Sequence, residues 1–215
     1  MKALTLSDVQ LLRIYSPRIR EQFTDVDLVI CCGDLPYYYQ EYVISMLDKP
    51  LFFVRGNHDK KIEYSEAGNR AAPRGGVNLH RRVMNHQGLL LAGVEGSLRY
   101  REGPFQYSQF EMWMHVLKLA PSLLINKLKH GRYLDVFATH SPPKGVHDKP
   151  DLTHQGIDAF RWLIQVFQPA YHIHGHIHVY HPGEVTLSHI GRTHVINTYG
   201  FREINLREMS INSQL

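Results

Sequence analysis

The stretch "PLFFVRGNHD", residues 50–59, joins an apolar run to a group of polar and turn-forming residues. Its first six residues have the length and composition of a buried β-strand. Gly56 then suits a tight turn that lets the backbone come close to a bound ion. Gly, Asn, His and Asp in this order are expected by chance in about one of a thousand chains of this length. The stretch therefore predicts a buried strand that ends in a ligand-binding loop.

Similar apolar runs recur along the chain, separated by segments with helical spacing. The predicted strands are residues 2–7, 26–32, 50–55, 88–94, 133–139, 170–174 and 194–197. The predicted helices are residues 37–47, a segment from about Tyr107 that Pro121 kinks or divides, and residues 156–167. The two longest loop-like segments are residues 60–78 and 141–155, which we expect to be functional or mobile. Helices that alternate with strands indicate an α/β fold built on a largely parallel or mixed sheet.

Polar residues follow five of these strands at the point where each strand ends. They are Asp8, Gly33-Asp34, Gly56-Asn57-His58-Asp59, Thr139-His140 and the "GHIH" of residues 175–178. In α/β sheets, ligands bind at the carboxyl ends of the strands. The sequence therefore predicts a site rich in Asp, Asn and His at this edge.

These motifs, in this order, resemble the calcineurin-like metallophosphoesterase family, whose pattern is D-x-H, G-D, G-N-H-D/E, H and G-H-x-H. The resemblance extends from the first strand to the C-terminal third of the chain. It implies one domain over residues 1–215, folded as a four-layer α/β/β/α sandwich with two mixed sheets. It also implies a metal site at the carboxyl ends of the strands.

The resemblance implies a role for each motif residue. Asp34 would bridge two metal ions. The other implied ligands are Asp8 and His178 for the first metal, and Asn57, His140 and His176 for the second. His58 would be the catalytic residue, facing the scissile phosphate without binding metal, where it can stabilise charge and protonate the leaving alkoxide.

The implied cofactors are two divalent or mixed-valence metal ions. A shared carboxylate holds two such ions ~3.5–4 Å apart, and they lower the pKa of a bridging water so that hydroxide can attack phosphorus. Mixed His, Asp and Asn ligands suit manganese, iron or zinc. Manganese is the ion that we expect, with iron or zinc as alternatives.

The first motif departs from the family pattern, because Gln10 stands where the pattern has histidine. Gln10 binds metal through its amide oxygen, or another side chain or water fills the position, or the first metal is weakly held. Tyr37 is a candidate replacement. It lies three residues after Asp34, as in the G-D-x-x-Y motif of purple acid phosphatases, whose tyrosinate binds iron.

Further polar residues are weaker candidates. Arg74 and Arg99 are candidates for contact with a substrate phosphate, since a guanidinium matches its oxygens, and Arg55 and Arg101 are further ones. His172 and His174 precede the last motif on one face of a strand and are expected to be ordinary buried histidines. Three other residues are expected to lie in surface turns: His147, Asp148 and His154. The alternative is that they line the mouth of the pocket.

Composition sets limits on location and partners. The 215 residues are 43% hydrophobic with a formal net charge of +4, and no apolar run approaches the ~20 residues of a membrane span. Cys31 and Cys32 lie in an apolar run and are expected to be reduced core residues. We therefore expect a cytoplasmic protein with no membrane partner. Nucleic acid is a conceivable partner, but the sequence offers only scattered Arg and Tyr.

The function that the sequence favours is metal-dependent hydrolysis of a phosphoester, with diesters preferred over monoesters. Two alternatives stay open. One is a non-catalytic scaffold of the same fold that binds metal or phosphate, which Gln10 supports. The other is a nuclease, which would need a basic groove and aromatic stacking positions.

Overall fold

Two mixed β-sheets, each covered by helices on its outer face, form the framework of the chain. The computed structural model describes residues 1–66, 68–181 and 183–206. The strands are β1 (Lys2–Ser7), β2 (Leu28–Cys31), β3 (Leu51–Phe53), β4 (Gly76–Asn78), β5 (Arg82–His86), β6 (Leu89–Val94), β7 (Ser97–Leu98), β8 (Gln106–Tyr107), β9 (Val136–Thr139), β10 (Tyr171–His174), β11 (Leu187–Ile190), β12 (Thr193–Asn197) and β13 (Gly200–Asn205). The helices are α1 (Ile19–Gln22), α2 (Tyr37–Leu47), α3 (Gln109–Leu117), α4 (Ala120–His130) and α5 (Asp158–Phe167).

The first sheet has the strand order β13-β1-β2-β3-β4, and the second has the order β11-β12-β10-β9-β6-β5. In the first sheet, β13 runs antiparallel to β1, and β1 to β4 run parallel to one another. In the second, the antiparallel pairs are the outer ones, β11 with β12 and β5 with β6. The central strands of both sheets are therefore parallel, so their carboxyl ends lie at one edge of each sheet.

Three apolar clusters lie between the layers. The cluster between the two sheets includes Ile30 and Phe52 from the first sheet and Leu91 and Ile173 from the second. The other two join the first sheet to α2 and the second sheet to α3, α4 and α5. The result is the α/β/β/α order of layers, with two mixed sheets, that the resemblance implied.

Individual side chains show how the sequence produces these layers. Cys31 and Cys32 are adjacent, so they point to opposite faces of their sheet and enter different clusters as free, buried thiols. Ser108 and Glu111 form a capping box that starts α3. Pro121 lies in the first turn of α4, where its missing N–H costs nothing, so it marks the division predicted at that position.

The sequence-based assignment missed several short elements. Residues 60–78 were expected to be loop throughout, but Gly76–Asn78 pairs in parallel with β3 as an edge strand. Strands β5, β7, β8, β11 and β13 and helix α1 were also not predicted. β4, β5 and β11 are only partly buried, so they lack the continuous apolar run that marked the inner strands. Among the described residues, no helix is long and apolar enough to cross a membrane.

His172 is buried within β10 with a defined tautomer. Thr139 Oγ1 donates its hydrogen to the Ser141 carbonyl at 2.7 Å, so it accepts from His172 Nε2 at 2.8 Å. The other ring nitrogen, Nδ1, has no partner among the described residues. A proton on it would be buried without an acceptor, and burial lowers the pKa of His172 to about 3.

This burial predicts an acid-sensitive contribution to stability. Between about pH 6.5 and 3 the unfolded chain binds a proton that the folded chain does not, so stability falls as pH decreases by about 1.4 kcal/mol per pH unit. His172→Gln should therefore lose less stability than the wild type between pH 7 and 5, by about 2 kcal/mol. Urea unfolding at the two pH values measures this difference. The exposed His130→Gln is the control, and equal pH dependence in His172→Gln and wild type would contradict the prediction.

Candidate metal centre

The five strand-end motifs come from both sheets. Asp8 directly follows β1, and Asp34 follows β2 after a two-residue turn. Asn57 lies four residues beyond the end of β3, in the first sheet as well. His140 directly follows β9, and His176 follows β10, in the second sheet. The site therefore lies where the carboxyl ends of the two sheets meet.

Three of these residues form a group that can hold a metal ion. Oxygen or nitrogen atoms of Asp8, Asp34 and His140 all lie within 4.8 Å of one another. The side chains of Asp8 and His140 are fully buried, and that of Asp34 is 8% exposed. Two carboxylates so close together and so poorly hydrated require a compensating positive charge.

Three side-chain atoms of the kind that bind metals lie around Nε2 of His140. It lies 3.3 Å from Asp34 Oδ2, 2.9 Å from Asn57 Oδ1 and 3.1 Å from His176 Nδ1. Ligand atoms bound about 2.0–2.2 Å from one ion are about 3 to 3.6 Å apart, depending on the coordination number. The spacing of these four atoms therefore fits the set of ligands that the resemblance implied for the second metal.

Hydrogen bonds from the far side of each ring orient the two histidines. His140 Nδ1 lies 2.7 Å from the carbonyl oxygen of Cys32, and His176 Nε2 lies 2.8 Å from that of Thr153. A carbonyl only accepts, so each of these nitrogens donates. In the neutral ring the other nitrogen then presents its lone pair to the site, which is the usual arrangement of metal-binding histidines.

The charges of the site are strongly coupled. Burial alone would lower the pKa of His140, but Asp34 and Asp8 outweigh it and raise that pKa to about 9. Burial opposes ionisation of Asp34, yet His140 and the His58 N–H hold its pKa at about 2. In the protein without metal, a proton on His140 therefore supplies the positive charge that the carboxylates require.

The backbone is shaped around these side chains. Asp8, Asp34 and His176 have φ values of 65°, 57° and 68°, a left-handed conformation that is uncommon outside glycine. A Cβ on Gly56 would lie 2.1 Å from Asp34 Oδ1, and one on Gly175 would lie 2.6 Å from Asp8 Oδ2. Only glycine therefore allows these turns to approach the carboxylates, which explains both glycines in the motifs.

His58 is exposed beside the metal-binding group. Its backbone N–H donates to Asp34 Oδ1 at 2.8 Å, which fixes its position relative to the site. Its Nδ1 lies 3.4 Å from Nη2 of Arg101, whose guanidinium stacks over the ring of Tyr100. The Tyr100 hydroxyl in turn accepts from Asn57 Nδ2 at 3.1 Å. Arg101 and Tyr100 therefore join His58 at the site.

The residues assigned to the first metal are less closely gathered. His178 Nε2 is 4.0 Å from Asp8 Oδ1, and the His178 side chain is 42% exposed. The oxygen of the exposed Gln10 accepts from the Tyr38 hydroxyl at 2.5 Å. Of the residues that the resemblance implied for the first metal alone, Asp8 is therefore the one whose side chain is fully buried.

The structure gives Tyr37 a different set of partners from the one that its spacing suggested. Its hydroxyl donates to the carbonyl oxygen of Lys60 at 2.7 Å and accepts from Arg55 Nε at 3.0 Å. Burial raises the pKa of Tyr37, which disfavours the tyrosinate that would bind iron. Binding of a metal by Tyr37 would require these hydrogen bonds to break.

The two arginines named for substrate binding lie in contacts elsewhere. Arg99 pairs with Glu111 at 3.1 Å with half of its side chain exposed. The backbone N–H of Arg74 donates to Glu41. Arg101 is the arginine that the structure brings to His58, although the sequence favoured Arg74. Its approach depends on the fold, because 43 residues separate it from His58.

Two residues outside the predicted set, Asp59 and Thr153, help to hold the site in place. Asp59 accepts from the backbone N–H groups of Gly56 and Asp34 at 2.7 and 3.2 Å, and burial with the nearby Asp34 charge raises its pKa to about 7. It therefore holds the loop after β3 against the loop after β2, a role that its place in the "GNHD" motif could have indicated. No signal in the sequence marked Thr153.

The histidines of the flanking segments divide into two groups. His154 places its ring 5.5 Å from that of His176, at the edge of the site. His147 Nδ1 lies 2.8 Å from Nε2 of the buried His174, so these two side chains hydrogen-bond to each other. A cleft of about 670 Å³ opens beside Asp34 and His58. Its lining also includes the rings of Tyr38 and Tyr64.

Comparisons with known proteins identify the family and the fold of the chain. The family model described as calcineurin-like phosphoesterase matches residues 1–180. A crystal structure of a chain with 18% sequence identity aligns with a TM-score of 0.61 and covers 95% of each chain. TT1561 of Thermus thermophilus is 16% identical, with a TM-score of 0.58 over 96% of this chain and 99% of that one.

A more distant similarity is to GAP50 of Plasmodium, described as the anchor in the inner membrane complex. It is 13% identical, with a TM-score of 0.53 over 93% of this chain and 71% of that chain. Identities this low establish a shared fold and no more. A comparison with curated proteins gave no match. Because the family model spans every strand-end motif from Asp8 to His178, the chain belongs to the calcineurin-like phosphoesterase family.

Proposed function

We propose that this protein is a metal-dependent phosphoesterase that hydrolyses a phosphoester, with diesters preferred over monoesters. The observation that carries the proposal is the arrangement around His140 Nε2, where three further ligand atoms lie at 2.9 to 3.3 Å. A structural cluster held only by hydrogen bonds between neutral groups would not need two buried carboxylates at the same place.

The proposed ligands follow from this arrangement. Asp34 is the shared ligand. Asp8 and His178, with Gln10 as the remaining candidate, would hold the first ion, and Asn57, His140 and His176 would hold the second. When bound, such ions activate water as a nucleophile and stabilise charge on the phosphoryl oxygens. We expect manganese, with iron or zinc as alternatives, because the ligand set combines imidazole with oxygen donors.

The protein's own contribution is the positioning of substrate and proton. His58 is exposed beside the ligand group, where its imidazole can hydrogen-bond a phosphoryl oxygen and donate a proton to the leaving alkoxide. The guanidinium of Arg101, 3.4 Å from that ring, adds a fixed positive charge for a second phosphoryl oxygen. Asp59 and Tyr100 hold the loop that carries His58 and Asn57.

The cleft supports the preference for diesters. Its volume of about 670 Å³ gives room for a second ester substituent next to His58. Its lining carries both charges, with Glu63 and Glu66 beside Lys60 and Arg70, so charge alone does not select between the two ester classes. The preference for diesters therefore rests on this room.

A second candidate function is a non-catalytic scaffold that binds metal or a phosphorylated ligand. Gln10 directs its oxygen to Tyr38, and His178 lies 4.0 Å from Asp8, so the first metal position is the less complete one. The relative described as an anchor in the inner membrane complex is consistent with a scaffold of this fold. We favour the enzyme because His58 and the second metal position keep all their expected residues.

Metal dependence tests the proposal. After dialysis against a chelator, the protein should not hydrolyse bis(p-nitrophenyl) phosphate, and Mn²⁺ should restore activity, with zinc and iron salts tested in parallel. The monoester p-nitrophenyl phosphate should react more slowly than the diester at the same metal concentration. Undiminished hydrolysis in excess chelator would contradict the proposal. Metal binding without hydrolysis of either ester would favour the scaffold, and a faster monoester would reverse only the substrate preference.

A further inference from the structure

His176 lies at the centre of a tight backbone turn. The Ile177 N–H donates to the Gly175 carbonyl at 2.8 Å, and His176 between them has a φ of 68°. A hydrogen bond between residues i+2 and i, with a positive φ at the central residue, defines the rare and strained form of the γ-turn. Such a conformation persists only where the surrounding structure holds it.

This γ-turn directs two groups of His176 into the site. Its backbone N–H donates to both carboxylate oxygens of Asp8, at 3.1 Å each. Its Nδ1 lies 3.1 Å from Nε2 of His140. If the turn relaxed, both groups would move, so the contacts that hold the turn also hold the ligand group.

The Gly175 carbonyl accepts a second hydrogen bond, from the side chain of His174. The Nδ1 atom of this fully buried histidine lies 2.9 Å from the carbonyl oxygen. A carbonyl only accepts, so Nδ1 carries the proton. Burial lowers the pKa of His174, so its ring is neutral and its other nitrogen, Nε2, is an acceptor.

His147 supplies the donor that His174 requires. Its Nδ1 lies 2.8 Å from His174 Nε2 and therefore carries a proton. Burial lowers the pKa of His147 to about 4, so at neutral pH its Nε2 is an acceptor, and it accepts from the Ser188 hydroxyl at 2.9 Å. The donors thus run in one direction from Ser188 through His147 and His174 to the Gly175 carbonyl. We refer to these three side chains as the His147 relay.

Burial of a histidine in β10 does not by itself produce such a chain of hydrogen bonds. The ring of His172, two residues earlier in the same strand, has an Nδ1 atom with no partner among the described residues. Both nitrogens of His174 and both of His147 are bonded. The fully bonded rings are therefore the ones that lead to the turn of His176.

We propose that His147 is a positioning residue of the metal centre, which acts through His174 and the Gly175 carbonyl to hold the γ-turn of His176. The inference rests on the proposed function, because it gives the turn a role in binding metal. The loop after β9 also reaches His176 directly, since the Thr153 carbonyl accepts from its Nε2 at 2.8 Å. This loop therefore fixes both the backbone and the ring of one proposed ligand.

Two substitutions at His147 separate its hydrogen bond from its volume. His147 has a φ of 63°, a left-handed conformation that asparagine tolerates. In His147→Asn the amide N–H can donate in place of Nδ1–H. His147→Leu has a side chain of similar size and shape but no donor. The first variant should keep the turn closed, and the second should not.

Hydrogen exchange of the chelator-treated protein, followed by NMR, tests the hold on the turn without metal. The Ile177 N–H should exchange about tenfold faster or more in His147→Leu, and within about threefold of the wild-type rate in His147→Asn. The Val29 N–H, which is bonded to Pro50 within the first sheet, is the control and should not change. Unchanged exchange at Ile177, or equal acceleration at Val29, would overturn the proposal.

Calorimetric titration with Mn²⁺ tests the consequence for the metal. Loss of a group that orients a metal ligand usually costs about 10- to 100-fold in affinity, so His147→Leu should weaken the tighter ion by this factor, and His147→Asn should restore most of it. Wild-type affinity in His147→Leu would overturn the positioning role. A wild-type protein that binds no metal would refute the proposed function, and with it the metal part of this proposal, whereas exchange at Ile177 would still decide whether the relay holds the turn.

Discussion

Asp34→Asn should lower the rate of phosphoester hydrolysis by about 10³-fold or more, the largest effect expected of any single change in the chain. The substitution keeps the size and shape of the side chain but removes the charge of the carboxylate that we propose both metal positions share. Metal ions stabilise the transition state by several kcal/mol, and each 1.36 kcal/mol corresponds to a factor of ten in rate. Weakening both positions at once should therefore remove most of the catalysis.

Loss of activity through unfolding of the variant can be distinguished from loss of activity through weaker metal binding. The amide oxygen of the Asp34→Asn variant would still accept the His58 N–H, as Asp34 Oδ1 does at 2.8 Å, so the loop should keep its position. Asp48→Asn, the same change at an exposed left-handed position after α2, is the control and should hydrolyse at the wild-type rate. Steady-state rates on bis(p-nitrophenyl) phosphate, with metal content per chain measured on the same samples, test the prediction. A folded Asp34→Asn protein with full metal content and full activity would contradict it.

His58→Ala should slow hydrolysis by about 10²–10⁴-fold, the usual contribution of general acid–base catalysis, while metal content stays at the wild-type level. His58 is exposed and contributes only its backbone N–H to Asp34, so its ring is absent from the ligand group. Loss of rate without loss of metal is therefore the expected combination.

The dependence on the leaving group distinguishes a proton donor from a residue that only orients substrate. Esters with good leaving groups need little protonation, so the loss in His58→Ala should be smaller for aryl than for alkyl esters. The exposed His130→Ala is the control for removal of a surface histidine. Loss of metal in His58→Ala would show that the ring is a ligand, and an equal loss for all esters would exclude the acid role.

The parts of the fold that the sequence predicted are those with a strong local signal. Helix α2 was predicted at residues 37–47, where the structure has it, and the seven continuous apolar runs are all strands. The glycine-containing motifs after these strands meet at one edge because parallel strands share the direction of their carboxyl ends. The edge strands were missed because their residues are only partly buried and their pattern resembles that of a loop.

The parts of the site that could not be predicted depend on contacts between distant residues. Nothing in the sequence near Arg101 relates it to His58, and the two meet because the segment between β7 and β8 contacts the loop after β3. The spacing that made Tyr37 a candidate ligand is equally compatible with a structural hydroxyl. Its two partners, Arg55 and Lys60, decide between these interpretations only in three dimensions.

The central claim is that the strand-end residues form a two-ion metal centre, and calorimetric titration of the chelator-treated protein with Mn²⁺ tests it most directly. We predict two ions per chain with unequal affinities. The tighter ion should be lost in Asn57→Ala, because Asp34, Asn57, His140 and His176 form the more complete set, whereas Gln10→His should tighten the weaker one. A wild-type protein that binds no Mn²⁺, zinc or iron would contradict the account. An Asn57→Ala variant that binds metal as the wild type does would contradict it as well.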